Sequence, residues 1–339
     1  MKIAIFGAGA IGGYLGVKLA AAGADVTFIA RGDNLKAIQA SGMRLILEDG
    51  TDLHSPSVKG VAAADAGQYD YVFLTMKSHQ VAPVAADVQR LCHTESAIVT
   101  MQNGVPWWYF HNFAGEFQGT KLESVDPHGV LWNALGPERV IGSVVYPAAE
   151  LIAPGVVKVI EGNRFTLGEP SGEKTERVTR LAQMMIAAGF KTPVSSDIRS
   201  ELWVKLWGNL TFNPVSALTH ATLEDICNFP LTRDLARNMM TEAQAVGERI
   251  GVQFKIPIEK RIAGAQGIGP HKTSMLQDIE AGKAIELEAL LGSVVELGKV
   301  AGVATPTLNT VYALTRLLAA SVEKAGVGLR LVASQSNTH

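Results

Sequence analysis

Cysteine is scarce in this chain: two occur among 339 residues, Cys92 and Cys227, far apart. Two distant cysteines supply neither a disulfide framework nor a paired-cysteine metal motif, so a reducing compartment is the expected setting. Eight histidines are present but none shows ligand spacing, and no metal is expected. A strong charge of either sign is missing too. The formal net charge is -2, and 18% of residues are charged. That balance supplies no electrostatic drive towards nucleic acid or an anionic membrane. Long apolar runs are also absent, none reaching the ~20 residues of a membrane span. The apolar start at Ile3–Phe6 is interrupted at once by Gly7, Gly9, Gly12 and Gly13, which a secretory signal core would not tolerate. A cytoplasmic protein is expected, with no nucleic-acid or membrane partner. No internal repeat or low-complexity tract stands out.

What is present is apolar residue in quantity, 47% of the chain, enough for a large core and about two domains. The first two-thirds alternates short β-like runs with helical stretches. Lys2–Phe6, Asp25–Ala30, Tyr71–Thr75, Ala97–Met101 and Val140–Val145 read as strands, and Ile11–Ala22 as the first helix. Such alternation implies βαβ units and a doubly wound parallel sheet. After Pro147 come further strand candidates, Gly155–Ile160, Phe165–Gly168 and Lys191–Ser195, with a helix over Glu173–Ala188. Beyond Asp197 the pattern is helical only: Leu202–Phe212, Leu231–Ile250, Ser274–Glu280, Ile285–Val300 and Pro306–Ala325. Thr305–Pro306 is a helix start with proline at the first position. The expected division is an α/β Rossmann-like domain over 1–196, an all-helical domain over 197–325, and a flexible tail over 326–339.

The segment after the first strand candidate reads Gly7-Ala-Gly9-Ala-Ile-Gly12. A lone G-x-G-x-x-G is weak evidence, but here it follows a strand, opens a helix and precedes a second strand. Gly7 allows a tight turn, Gly9 lets backbone approach a pyrophosphate, and Gly12 lets helix and strand pack closely. The helix N-terminus then offers N–H groups to the anion. A glycine-rich turn without ligand is the alternative. An NAD enzyme would carry Asp or Glu at the end of the second strand, on the ribose hydroxyls. This chain reads Val26-Thr-Phe-Ile-Ala-Arg31-Gly32 instead. A guanidinium suits a 2′-phosphate, so NADP is favoured over NAD. A surface arginine at a strand end is the alternative.

With these features the chain resembles the ketopantoate reductase family, the 2-dehydropantoate 2-reductases. The resemblance extends over nearly the whole chain. It rests on the GAGAIG loop, Thr75-Met-Lys77, Gln102-Asn103-Gly104, Ala149-Glu-Leu, Glu201-Leu-Trp-Val-Lys205-Leu, Asn209-x-x-x-Asn213-Pro214, Ser274-Met-Leu-Gln-Asp278 and Glu286. It implies NADPH-dependent reduction of a 2-keto acid to a 2-hydroxy acid: ketopantoate to pantoate in pantothenate biosynthesis. It implies a C-terminal domain like that of 6-phosphogluconate dehydrogenase and an active site between the two domains. Separately from the resemblance, a homodimer is one assembly open to the chain. By the same resemblance Lys205 and Glu286 are catalytic, and Asn103, Asn209, Asn213 and Ser274 bind substrate. Gly7, Ala8, Gly9, Ala10, Ile11, Gly12, Arg31, Lys77, Asn103 and Glu286 then meet the cofactor.

The residues also carry local readings. Lys205, Asn209 and Asn213 are four apart, hence on one helix face, which spacing alone assigns either to solvent or to a cleft. Pro214 would bias Asn213 out of the helical region. A protonated amine suits ketone reduction, because it can polarise the carbonyl and then deliver a proton. Glu286 doubles as a first-turn glutamate of the Ile285–Val300 helix. Ser274-x-x-Gln277 reads as a capping box. Asn103 before Gly104 is also a common turn pair, and Lys77 a solvated lysine. Two departures bear on the substrate. The aromatic stretch from Trp107 to about Leu135 reads as an insertion, either a lid or a surface decoration packed by its own aromatics. After Glu286 the family's Ile-Asp and Asn-Gly are replaced by Leu287-Glu288 and Leu291-Gly292, which would suit a less polar keto acid. An NADP-binding redox sensor without turnover is the reading from another class.

Overall fold

The computed structural model describes residues 1–331 and falls into two compact units, Met1–Leu202 and the part from Trp203 onward. The first unit opens with β1 (Lys2–Phe6), α1 (Ala10–Ala21), β2 (Asp25–Ile29), α2 (Gly32–Ser41), β3 (Met43–Ile46), β4 (Asp52–Ser55) and β5 (Lys59–Val61). It continues through β6 (Tyr69–Leu74), α3 (Ala85–Arg90), β7 (Cys92–Thr100), α4 (Val130–Leu135) and β8 (Val140–Val145). It ends with β9 (Ala148–Ala153), β10 (Val156–Glu161), β11 (Phe165–Gly168) and α5 (Glu176–Ala187).

Seven strands make one sheet in the order β11-β8-β7-β6-β1-β2-β5. Neighbours run parallel except β11, which is antiparallel to β8. From β5 to β8 this is the Rossmann order, as the strand–helix alternation predicts. The strands read as unbroken apolar runs because both faces are covered. Alternate residues go to opposite sides. Ile3 and Ile5 of β1 join one buried cluster with Phe28 and Val99, while Ala4 and Phe6 join another with Val72 and Ile98.

A second sheet, order β4-β3-β10-β9, is not foreshadowed in the sequence beyond one strand candidate. It packs on α1, where a Cβ added to Gly13 would come within 2.6 Å of both Met43 Cε and Val157 Cγ2. The expected strand over Lys191–Ser195 is reduced to single bridges, Arg164 with Lys191 and Leu167 with Val194.

The stretch from Trp107 to Leu135 is not a projecting lid. Trp107, Trp108, Tyr109 and Phe110 are buried, and Trp107 and Trp108 join the second core cluster. Trp108 Nε1 donates to Thr100 Oγ1 at 2.8 Å. The Arg199 guanidinium donates to the carbonyls of Tyr109 and Pro170, each at 2.6 Å, and to that of His111. Aromatic side chains this large stabilise by burial, and four in a row pull the segment into the unit.

From Trp203 the described elements are helical. The preceding helix α6 (Ile198–Thr219) leads in, followed by α7 (Leu223–Asn228), α8 (Pro230–Arg249) and α9 (Ile258–Gln266). The remaining helices are α10 (Ser274–Glu280), α11 (Ser293–Ala301) and α12 (Pro306–Ala325). Helix α6 continues through Pro214 to Thr219 instead of ending at Phe212. Proline in a helix interior costs about 3 kcal/mol through a lost bond and a clash. Here every residue from Leu210 to Ala217 is buried, and that packing offsets the penalty. α12 starts on Pro306, as expected. Of the expected tail, Leu329 N–H returns to the Ile279 carbonyl at 3.1 Å and Arg330 Nε to that of Glu280 at 3.1 Å; residues 332–339 lie outside the described residues. No helix among the described residues is long and apolar enough to cross a membrane.

Candidate active site

In the first unit the predicted residues gather at the carboxyl edge of the parallel strands, where open α/β sheets bind ligands. The loop after β1 holds Gly7, Ala8 and Gly9, and α1 starts at Ala10 with Ile11 and Gly12 in its first turn. Gly7 has φ +107°, a left-handed conformation that favours glycine. A Cβ on Gly12 would stand 2.1 Å from the Gly7 carbonyl oxygen and 2.6 Å from Thr75 Oγ1, so only glycine lets α1 close on β1. A Cβ on Gly9 would meet nothing within 4 Å. The two glycines thus have different reasons. Gly12 is packed tight, whereas Gly9 leaves backbone bare beside open space. No acidic residue occupies the first turn of α1, and Gly9 brings no side-chain cap. This suits a diphosphate, whose charge favours a helix N-terminus.

Arg31 follows β2 by two residues and caps α2 in extended conformation, with its side chain exposed. It therefore stands at the same edge, one strand over from the phosphate loop. Lys77 opens a short 3-10 turn after β6 and is half-buried. Asn103 follows β7, also half-buried, and Gly104 has φ +94°, so the turn reading of this pair holds as well.

In the second unit Lys205, Asn209 and Asn213 form the expected stripe along α6. It is not a solvated face. Asn213 is 6% exposed, Lys205 and Asn209 are partly buried, and their chain neighbours Leu206, Trp207, Leu210 and Phe212 are buried. Burial pushes the Lys205 ammonium down to about 8 from its ordinary 10.5, and the Glu286 carboxylate works against that shift. Desolvation dominates because a charge leaving water loses more than one nearby opposite charge restores.

Two local readings are corrected. Glu286 is not in the first turn of a helix from Ile285. It precedes a π-turn, Glu288–Gly292, that leads into α11. Its carbonyl accepts the Leu290 N–H at 3.2 Å. In the π-turn Glu288 packs over Gly292, and its two carboxylate oxygens, each 2.9 Å away, accept from the Tyr312 hydroxyl. Ser274 is not the cap of α10. Thr273 is, its hydroxyl accepting from Leu276 N at 3.3 Å, while Gln277 donates to the Lys272 carbonyl. Ser274 is the first helical residue, with an exposed side chain. Leu287 and Leu291 are core residues, 4% and 0% exposed, so they say little about pocket polarity.

Residues 3–172 match the ketopantoate reductase PanE/ApbA family, and residues 197–319 match its C-terminal domain. A 2-dehydropantoate 2-reductase of Mesorhizobium japonicum is 55% identical over 320 residues, 94% of this chain and 98% of the relative. The chain belongs to the ketopantoate reductase family. A candidate ketopantoate reductase of Ralstonia solanacearum has a TM-score of 0.90 at 40% identity, covering 94% of this chain and 98% of that one. A 2-dehydropantoate 2-reductase of Geobacter metallireducens has a TM-score of 0.80 at 28% identity, covering 94% and 99%.

Beside these family landmarks, three supporting side chains escaped the sequence reading as site residues. Thr75 Oγ1 donates to the Gly7 carbonyl at 2.6 Å, tying the β6 end to the phosphate loop. Gln102 Nε2 donates to the Leu74 carbonyl at 2.7 Å and reaches that of Met76 at 3.1 Å, joining the β6 and β7 ends. Asn34 reaches the Ala8 carbonyl. Thr75 and Gln102 lie in matched motifs; nothing in the sequence marks Asn34. Among the described residues no group of three or more His, Cys, Asp or Glu could hold a metal.

Proposed function

We propose that this member of the ketopantoate reductase family reduces 2-dehydropantoate to pantoate with NADPH, the reductive step of pantothenate biosynthesis, in the cytoplasm and as a homodimer. Neither nucleic acid nor membrane is a partner. The observation that carries the reading is Lys205: an amine on an amide-lined helix face, pushed down to about 8 by burial and supported by the Glu286 charge. A 55% identical relative named for this activity supports the substrate.

In this reading residues 1–196 bind NADP and residues 197–325 bind substrate and carry the acid. The backbone from Gly7 to Gly12 would hold the diphosphate and Arg31 the 2′-phosphate, and Lys77 and Asn103 would also meet the coenzyme. NADPH, when bound there, would supply the hydride that the carbonyl carbon accepts. Charge then builds on the carbonyl oxygen. The Lys205 ammonium polarises that oxygen beforehand and gives it a proton, becoming a neutral amine that solvent reprotonates. Glu286 favours the charged form of Lys205 and positions it. Asn209, Asn213 and Ser274 offer fixed donors and acceptors to the carboxylate and hydroxyl groups.

The test is NADPH oxidation against a panel of 2-keto acids, with NADH in parallel. Ketopantoate with NADPH should give the highest kcat/KM. A branched or aryl keto acid outpacing ketopantoate would reassign the substrate and keep the chemistry. NADPH binding with no turnover of any keto acid would favour a sensor.

A further inference from the structure

Asn34 lies in the first turn of α2, three residues beyond Arg31, and its carboxamide bridges two distant pieces of backbone. Nδ2 donates to the Ala8 carbonyl at 2.5 Å. Oδ1 accepts from the Gly155 N–H at 2.7 Å. Gly155 forms the turn between β9 and β10 with φ +73°. Only the amide nitrogen can donate to a carbonyl and only the oxygen can accept from an N–H, so the two partners fix the orientation of the group.

The Ala8 bond has a consequence one atom further on. In a trans peptide the C=O and N–H point in opposite directions. Holding the Ala8 carbonyl towards Asn34 therefore turns the Gly9 N–H away from it. Gly9 caps α1 and borders open space. The side chain thus aims one donor of the phosphate loop without itself reaching an anion. Its other end is anchored in the second sheet, which also packs against α1 through Val157 and Met43. Resting on the coenzyme reading above, we propose that Asn34 is a coenzyme-positioning residue, and that the β9–β10 hairpin is the anchor from which it holds the phosphate loop in its anion-accepting shape. The diphosphate is common to NADPH and NADH, so Asn34 serves both, whereas Arg31 distinguishes them.

The experiment titrates NADPH and NADH into the unmodified protein and into Asn34→Ala, Asn34→Asp and Arg31→Ala, with thermal melts and kcat at saturating coenzyme. Asn34→Ala should weaken both coenzymes by about tenfold, as expected for one or two lost hydrogen bonds, with kcat little changed. Asn34→Asp keeps the acceptor for Gly155, hence the hairpin anchor, but loses the donor and sets a carboxylate against the Ala8 carbonyl. It should bind both coenzymes at least as weakly as Asn34→Ala. Arg31→Ala should lose NADPH alone. Wild-type affinity in Asn34→Asp would make Asn34 a hairpin anchor only and overturn the proposal, as would a loss confined to NADPH. If the unmodified protein binds neither coenzyme, the coenzyme reading falls first and this inference with it. If it binds and Asn34→Ala binds equally well, this inference alone falls.

Discussion

Lys205 is a cation held where water is scarce, and its titration has two consequences. Its folded pKa, about 8, lies below the ordinary value of 10.5. Folding therefore disfavours the ammonium. The charged group opposes stability below pH 8, and that opposition fades as pH rises from about 8 to 10.5. Catalysis runs the other way. In the proposed mechanism reduction uses the proton on Lys205, so kcat should fall as pH rises through about 8, by about tenfold per unit beyond it. Lys205→Ala should lose at least about a hundredfold in kcat while NADPH affinity stays near normal. Lys205→Arg should restore little, because a guanidinium holds its proton too tightly to donate it. A folded Lys205→Ala protein with wild-type turnover, or a flat kcat profile between pH 7 and 10, would remove the lysine from this role.

At the scale of elements, α1 shows how one glycine motif serves two physical ends. Gly12→Ala would drive a methyl into the Gly7 carbonyl and Thr75, forcing α1 off β1. Overpacking of that kind costs about 1–3 kcal/mol, so both melting temperature and coenzyme affinity should fall. Gly9→Ala meets no protein atom. It should leave the melting temperature near wild type and weaken coenzyme binding, because the methyl occupies space the diphosphate approaches. Equal thermal losses in the two variants would refute this division of labour. The elements were unevenly legible beforehand. β1, α1, β2 and β8 announce themselves by apolar runs with glycine or charge at their ends. The second sheet does not. β3 and β4 have four residues each, too short for alternation to register, and β9 exposes most of its side chains. The continuation of α6 past Pro214 runs against local preference and follows from burial on all sides. The caps of α10 and the π-turn before α11 also hinge on which neighbour a side chain finds.

At the scale of the whole molecule, assembly has a direct signature in mass. A homodimer predicts a particle of twice the 36.0 kDa chain mass by light scattering, and exposed Leu314 and Leu317, one turn apart on α12, supply apolar surface for such a contact. A single-chain mass at working concentration would reject it. The sequence by itself determined the fold class, because strand–helix alternation and the GAGAIG spacing are local patterns with one economical solution. It determined that Gly7, Gly9, Gly12 and Arg31 share the carboxyl edge of the sheet proposed for the coenzyme, since sequence order places them at strand ends. It also determined that Lys205, Asn209 and Asn213 share a face, which is helix geometry. Only the tertiary structure decided that this face is desolvated, that Thr273 and not Ser274 caps α10, that the aromatic run Trp107–Phe110 is buried, and that Asn34 links the phosphate loop to a hairpin more than a hundred residues away. Burial and long-range hydrogen bonds depend on which atoms meet across the fold, and no spacing along the chain encodes that meeting.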